Sequence, residues 1–510
     1  MPHLLRYLTV TVFSLTGCLS TGCRRAPSPP LERDASAPAR PRPRLVLLTA
    51  PWCQWCRVLE AETLPAPAVR AALAAWSLEE IDVDRAPAWM DRPGVSGLPS
   101  LLFFDGAGRH VLTRSGYRSP AELASLLDDV RARLGEPDLA PFPAEPGHRR
   151  LPALPMDARR AQAELVRLER AAFIAVNSND GGFGGPGRDP RPGMLLALAE
   201  WPGATARTRR WIDLTCNHAL RGRSPRLDGA PLPDDDFSGV ELADLATRGP
   251  VVGPRWRAGI DRLPDADPYE GLQDPFDYGV FRYAAGPGWY HPHFERRAAD
   301  NLRWALLLRR LGRTDDAARV AGFVASTFGV GARIAAHQRS DPFYYRLRAD
   351  ERRGVPSPPV EPLFPVEVQA LAAQVWPARC GALEAAPTDR WPRALWTEGA
   401  EDPAAAEATP DAVGALLRAM AGCPSQAARA RALAEVVVAR WAGFGLPGRP
   451  QRLGPLAGGI CAAAPGHCGR ALAALDGLPL DPEFPPPFAA LDALSRLDHD
   501  AGLSDQPESD

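Results

Sequence analysis

Cys53 and Cys56 stand in the stretch TAPWCQWCRVLEAE, residues 49–62, with an apolar run before them and a helical pattern after. A cysteine at the N-terminal end of a helix meets unpaired backbone N–H groups and the positive end of the helix dipole, and both favour its thiolate. Cys53 is the candidate attacking sulfur. Cys56, one helical turn on, points back to the same face and can resolve a mixed disulfide by closing the Cys53–Cys56 bond. The chemistry requires Cys53 to be exposed at the head of its helix, with Trp52 packed beside the pair. Two plainer readings of the motif are half of a zinc site and a stable structural disulfide. No second cysteine or histidine pair of suitable spacing lies nearby, so no metal is expected, while the structural disulfide stays open.

The elements that must hold this pair follow in order. Arg44 to Ala50, RLVLLTA, has the length of a buried strand, and the helical pattern starts at Cys53. Val69 to Trp76 continues helically after Pro65 and Pro67, Leu78 to Val83 alternates like a strand, and Leu101 to Phe104 is a further buried strand. Gly106-Ala107-Gly108 turns into His110 to Thr113. In SPAELASLLDDVRARLG, Ser119 caps a helix, Pro120 takes its first position, Glu122 completes a capping box and Gly135 supplies a left-handed stop. A β-α-β unit followed by β-β-α is thioredoxin topology. The segment resembles the thioredoxin superfamily through Trp52-Cys53-x-x-Cys56 and Pro99. The resemblance implies that Pro99 is a cis-proline opposite the cysteines, shaping a groove for an extended substrate chain. Where most thioredoxins carry a buried acid, six positions before Cys53, this chain has Leu47, and deprotonation of Cys56 lacks an evident helper.

At 510 residues the chain exceeds one ordinary domain of roughly 150 residues. Hydrophobic residues at 45% and charged residues at 24% are globular values, and a formal charge of −2 gives no reason to expect nucleic acid. The sequence has no lysine, which excludes a lysine Schiff base or a P-loop lysine. MPHLLRYLTVTVFSLTGC opens with an apolar stretch suited to a signal-peptide core and too short to span a membrane. Leu15-Thr16-Gly17-Cys18 resembles a bacterial lipobox, with Cys23 a second candidate, so export and a lipid anchor at Cys18 in the cell envelope are expected. Residues 24–43 are rich in proline and alanine and read as an extended tether.

The domain boundaries expected are 1–23 for signal peptide and lipobox, 24–43 for the tether, 44–135 for a thioredoxin-like domain, 136–155 for a linker, 156–495 for a helical domain and 496–510 for a disordered tail. Asp157 to Val176, Met194 to Glu200, Thr208 to Arg221, Arg296 to Leu311 and Thr314 to Thr327 show apolar residues at helical spacing, and the long loops between them suit an (α/α) toroid of helical hairpins. One loop, residues 278–301, gathers aromatics with His291, His293 and Glu295 before a helix, like a cleft lining. Trp289, His293, Glu295 and Asp300 could bind sugar, with an aromatic face stacking on a pyranose and carboxylates acting as acid and base. A plainer reading makes Arg282, Tyr283, His293 and Glu295 a hydrogen-bonded brace, with Arg282 paired to Glu295 or Asp300. Among the other cysteines, Cys461 and Cys468 could close a local loop, and Cys216 reads as a buried small residue.

The stretches WCQWCRVLEAETL, IDVDRAPAWMD, DGGFGGPG, Phe281-Arg282-Tyr283 through Trp289, and Pro292-His293-Phe294-Glu295 with Asp300-Asn301 resemble the family of spermatogenesis-associated protein 20 and its bacterial relatives. That resemblance implies a thioredoxin-like domain joined to a six-hairpin toroid. It leaves little recognisable beyond about residue 360, where hairpins could be missing or degenerate. The expected function is a thiol-disulfide oxidoreductase of the bacterial cell envelope, without a cofactor, whose helical domain binds or presents a disulfide-containing client or redox partner. The alternative is a carbohydrate-binding or carbohydrate-active toroid with a redox-degenerate appendage.

Overall fold

The computed structural model describes residues 42–502, except 137–138, 143–147, 178–179, 184–187, 222–270, 285–288, 290, 348, 398–399 and 447–448. Cys18, Cys23, the signal segment and most of the expected tether lie outside the described residues, as does part of the glycine-rich DGGFGGPG stretch.

The first elements are β1 (Arg44–Thr49), α1 (Gln54–Val58), α2 (Pro67–Leu73), β2 (Ser77–Asp82), β3 (Ser100–Phe104), β4 (His110–Ser115) and α3 (Pro120–Arg133). They form a sheet of order β2-β1-β3-β4, with β1 and β2 parallel and the other pairs antiparallel. The apolar runs at β1 and β3 are continuous because both faces are buried. Leu45, Leu47, Leu101 and Phe103 pack with Val69 and Leu127 on one face, while Val46, Leu48, Leu102 and Phe104 pack with the cysteine pair on the other. Leu47 therefore faces away from the sulfurs. The capping box forms at α3, where Ser119 N donates to Glu122 Oε2 at 3.1 Å, and Gly135 stops the helix at φ 98°. This is the thioredoxin-like fold that the motif order predicts.

The expected linker is partly tied down. Leu139 is buried in the first domain's core, Leu151 in that of the helical domain, and Arg149 bridges to Leu446.

The helical domain is built from α4 (Ala158–Ala175), α5 (Pro192–Glu200), α6 (Ala206–Arg221), α7 (Ala298–Arg310), α8 (Thr314–Phe328), α9 (Val366–Val375), α10 (Pro410–Gly422), α11 (Ala427–Phe444), α12 (Leu453–Ala463), α13 (Cys468–Ala473) and α14 (Phe488–Gly502). The neighbours α5, α7, α9, α10, α12, α13 and α14 touch in that order, and α14 returns to α5, so the helices close a ring. A second layer lies against it: α6 on α5, α8 on α7, α11 on α10 and α4 on α14. The toroid-like expectation holds, and the ring is completed by the region that resembled nothing in sequence. α14 also runs past residue 496, where the tail was expected to start.

Two disulfides staple this layer. Cys461 joins Cys468, as the local loop predicts, and Cys380 joins Cys423 across 43 residues. Closing a loop of that length restricts the unfolded chain, so replacing Cys380 and Cys423 by serine should cost about 2–4 kcal/mol, read from denaturant midpoints against the native protein. Cys216 is free and fully buried, and burial pushes its thiol up to about 12.

Candidate functional site

Gln54, the first residue of α1, follows Cys53 directly, so Cys53 is the helix N-cap. Cys56 N donates to Cys53 Sγ at 3.1 Å, the sulfur taking one of the donors that a helix start leaves unpaired. The two sulfurs are bonded to each other, with their Cα atoms 5.3 Å apart. The Leu98–Pro99 peptide is cis. Because Leu48 pairs with Ser100 across β1 and β3, Pro99 leaves β3 at the end of the sheet where β1 runs on to Cys53. The elements expected to gather the pair and the proline at one edge do so.

The expectation of an exposed Cys53 fails. Cys53 is 5% exposed and Cys56 1%, both inside an apolar cluster with Val46, Leu48, Ala50, Trp52, Val83 and Val95. The sulfurs lie in the first domain's own apolar packing, and the helical domain docks on the residues that flank them. His337 stacks on Trp52 with ring centres 4.9 Å apart, and Ser340 Oγ donates to Gln54 Oε1 at 3.0 Å. Arg57, next to Cys56, donates to Pro51 O at 3.0 Å and to Ser340 O at 2.8 Å, tying the loop before the cysteines to the other domain. On the loop that precedes Pro99, Arg449 donates to Met90 O and Val95 O at 3.2 and 3.0 Å. Arg452 binds Asp91 at 2.8 Å and Asp411 at 2.6 Å.

These contacts meet a collar of charge where the ring helices begin. Arg191 caps α5, Arg297 caps α7, Glu367 lies in the first turn of α9, Asp411 in that of α10, Arg452 caps α12, and Glu483 precedes α14. Arg303 of α7 pairs with Glu367, Arg452 with Asp411, and Arg191 with Glu483 at 3.8 Å. The N-terminal ends of successive helices are thus linked around one mouth of the ring, and the redox face of the first domain sits over it.

The loop residues expected to line a cleft separate into different roles. Arg282 Nη1 donates to Glu295 Oε1 at 2.5 Å, and its guanidinium lies 5.6 Å from the Trp52 ring, so the two candidate sites adjoin. His293 stacks on Tyr283 with ring centres 4.8 Å apart and stands 3.9 Å from Glu295. Asp300 pairs with Arg297 rather than with Arg282. Trp289 is fully buried and donates to Asp180 O at 3.1 Å, packed where a Cβ on Gly182 would strike it, so it offers no face to a sugar ring. His291 holds a left-handed backbone at φ 59°, as do Trp289 and Arg191. Among the described residues no group of His, Cys, Asp and Glu is arranged to hold a metal ion.

Glu295 is 2% exposed. Burial alone would raise its carboxyl, but Arg282, then His293, hold it below its ordinary 4.5. A carboxylate depressed in the folded state contributes stability above its unfolded value, and that contribution is lost as pH falls through the folded one. Acidification below about pH 4.5 should therefore lower the melting temperature of the native protein more steeply than that of Glu295→Gln. The variant itself should be about 1–3 kcal/mol less stable, from the lost charge-assisted bond. Parallel slopes for the two proteins would remove Glu295 as a source of acid sensitivity.

Sequence reasoning missed His337, Ser340, Arg449 and Arg452, which have no motif and lie 281 or more residues from the cysteines they cover, the nearest such bond being Arg57 to Ser340 at a separation of 283. Asp84 and Asp91 lie inside IDVDRAPAWMD, which carried a resemblance but no role. Burial alone would raise the Asp84 carboxyl, yet His337, the Trp52 N–H and Arg297 hold it below the usual carboxylate range.

Residues 33–131 match the thioredoxin-like domain family. The thiol:disulfide interchange protein DsbD of Klebsiella pneumoniae is 33% identical over 105 residues, which is 19% of this chain and 18% of that protein. The chain thus matches less than a fifth of the length of that curated relative. Among solved structures, a thioredoxin from Halobacterium salinarum aligns with 18% of this chain and 74% of its own at 27% identity and a TM-score of 0.15. A cellobiose 2-epimerase from Bacillus thermoamylovorans aligns with 67% of this chain and 99% of its own at 8% identity and a TM-score of 0.40. The first domain is thioredoxin-like in sequence and fold, and a helical ring follows it.

Proposed function

We propose that the protein is a thiol-disulfide oxidoreductase of the cell envelope, in which Cys53 and Cys56 exchange with a disulfide and the helical domain governs access to them. The observation that carries this reading is the Cys53–Cys56 disulfide at a helix start, at the same sheet edge as the cis Leu98–Pro99 peptide. In the reducing direction the Cys53 thiolate attacks a client sulfur, forming a mixed disulfide and expelling a client thiolate. The Cys56 thiol then gives up its proton, and its sulfur attacks Cys53, restoring the Cys53–Cys56 bond and expelling the second client thiolate. Two electrons pass from the dithiol to the client, and the reverse sequence oxidises a client dithiol. The stapling disulfides Cys380–Cys423 and Cys461–Cys468 support an oxidising compartment, and the DsbD likeness of the first domain supports the same setting.

Because the pair is covered, exchange with a protein client needs the Trp52–His337 and Arg452–Asp91 contacts to part. The helical domain then serves as the surface that holds the client once the redox face is released. Cys56→Ser, reduced and mixed with glutathione disulfide, should retain glutathione on Cys53 as a stable mixed disulfide, seen by mass. The Cys53→Ser/Cys56→Ser double variant should retain none at that position. The adduct is assigned by peptide mass at residue 53, since the other cysteines can take glutathione in both variants; no adduct at Cys53 in Cys56→Ser, together with no exchange between the native protein and a disulfide-bonded substrate protein, would sink the assignment.

A further inference from the structure

Cys53 and Cys56 lie in an apolar cluster with Trp52, the residue before Cys53. Charged groups from both domains meet at Trp52. Its Nε1 donates to Asp84 Oδ2 at 2.9 Å, the His337 ring stacks on it, and the Arg282 guanidinium stands over it. His337 Nε2 lies 3.2 Å from Asp84 Oδ1. Asp84 and His337 come from different domains, so this arrangement exists only when the two are docked.

We propose that His337 is a positioning residue for the cysteine pair: brought in by the helical domain, it acts through Asp84 and Trp52 on the ionisation of Cys53 in the reduced protein. The chemistry of the ring supports this. Asp84 as carboxylate only accepts, so Nε2 carries the hydrogen, and in the neutral ring Nδ1 keeps its lone pair. His337 Nδ1 is buried without a hydrogen-bond partner. A buried polar atom left unpaired costs stability, and one kept in a native protein calls for a reason. Here Nδ1 can take a proton. The resulting imidazolium is held by Asp84 and lies over the face of Trp52, the residue next to Cys53.

His337 is fixed in position by a three-stranded strip, β5 (Arg296–Arg297), β6 (His337–Gln338) and β7 (Val360–Glu361), in the order β5-β6-β7. The charged groups that face it are Asp84 and Asp82 from the first domain, Arg297 across β5, and Glu361 across β7, itself bonded to Arg339 at 2.6 Å. Arg282 adds a permanent charge near the Trp52 ring.

The proposal gives the oxidoreductase reading its proton-sensitive partner, but its test needs no turnover. The full chain is reduced and its thiolate absorbance in the ultraviolet followed against pH, with the Cys53 contribution isolated by subtracting the same titration of Cys53→Ser. The native protein should show a step that depends on His337, followed by the thiol's own rise. His337→Gln keeps an N–H for Asp84 but cannot be protonated, and should lose the step and hold about tenfold less thiolate on its acid side. His337→Lys, which keeps the charge, should restore the thiolate without the step. A His337→Gln protein that melts like the native one and titrates identically overturns the proposal. Should His337→Gln fail to fold, Asp84→Asn decides in its place, since it keeps the ring and an acceptor for it but removes the carboxylate charge and should shift the step, whereas an unmoved step overturns the idea. A native protein with the histidine step but no exchange with glutathione disulfide would refute the oxidoreductase reading and leave this coupling standing.

Discussion

Arg452→Ala should speed the reduction of Cys53–Cys56 by dithiothreitol by about a hundredfold or more. Arg452 is 7% exposed and bonds Asp91 of the first domain and Asp411 of the ring at 2.8 and 2.6 Å. Removing it leaves two half-buried carboxylates without their shared partner, with Arg449 3.8 Å from Asp91 as the nearby cation. Breaking a buried pair by deleting one partner costs about 3–5 kcal/mol. The cost falls on the contact between the domains, because Asp91 stands on one side and Asp411 on the other. If a reductant reaches the sulfurs only after that contact opens, each 1.4 kcal/mol raises the open population about tenfold, which gives the expected acceleration. Mass analysis of quenched samples reports the rate, and hydrogen exchange across residues 44–133 against residues 410–463 reports whether the domains part without unfolding. An unchanged rate in a variant whose domains do separate would mean that small thiols reach Cys53 in the docked state, and the helical domain would then control only larger clients.

Gly459→Ala should destabilise the ring by about 3 kcal/mol, near the upper end of what overpacking a tight contact costs. α10 and α12 cross so closely that a Cβ built on Gly459 would lie 2.7 Å from the Gly414 Cα, and one on Gly414 would lie 2.5 Å from the Pro455 carbonyl carbon. These neighbours are backbone, which cannot swing aside as a side chain can, so the helices must move apart. Leu416, Leu417, Leu456 and Ile460 pack in the same core and would lose contact together. Gly422→Ala, whose Cβ would meet nothing within 4 Å, serves as the control and should leave the denaturation midpoint unchanged or raise it. Equal midpoints for Gly459→Ala and the native protein would show that α12 can shift at little cost and that the ring is looser than its packing.

Much that depends on neighbours in the chain was legible in advance, although the helices beyond residue 360 and the run of α14 past residue 496 were not. The strand, cysteine pair and helix order, the Ser119 capping box, the Gly135 stop, the Cys461–Cys468 loop and the helices at residues 158–175, 206–221, 298–310 and 314–328 follow from periodicity, caps and short spacings. The Arg282–Glu295 pair was also within reach, since both residues sit in one loop. What could not be read was any relation set by distance along the chain. Cys380 and Cys423 carry no signal of their pairing, and Gly414 and Gly459 read as ordinary helical glycines until their backbones meet.

The burial of Cys53 belongs to the same class. A helix N-terminus and its dipole are local, so the amino-acid order alone placed Cys53 at the start of a helix and Cys56 one turn on. Its surroundings are not local: His337, Ser340 and Arg452 reach the redox face because the ring closes and turns the N-terminal ends of its helices toward it. Tertiary structure alone decided that a second domain docks on the residues flanking the cysteine pair, since contacts across some 280 to 360 residues depend on the whole fold and leave no period or spacing in the chain.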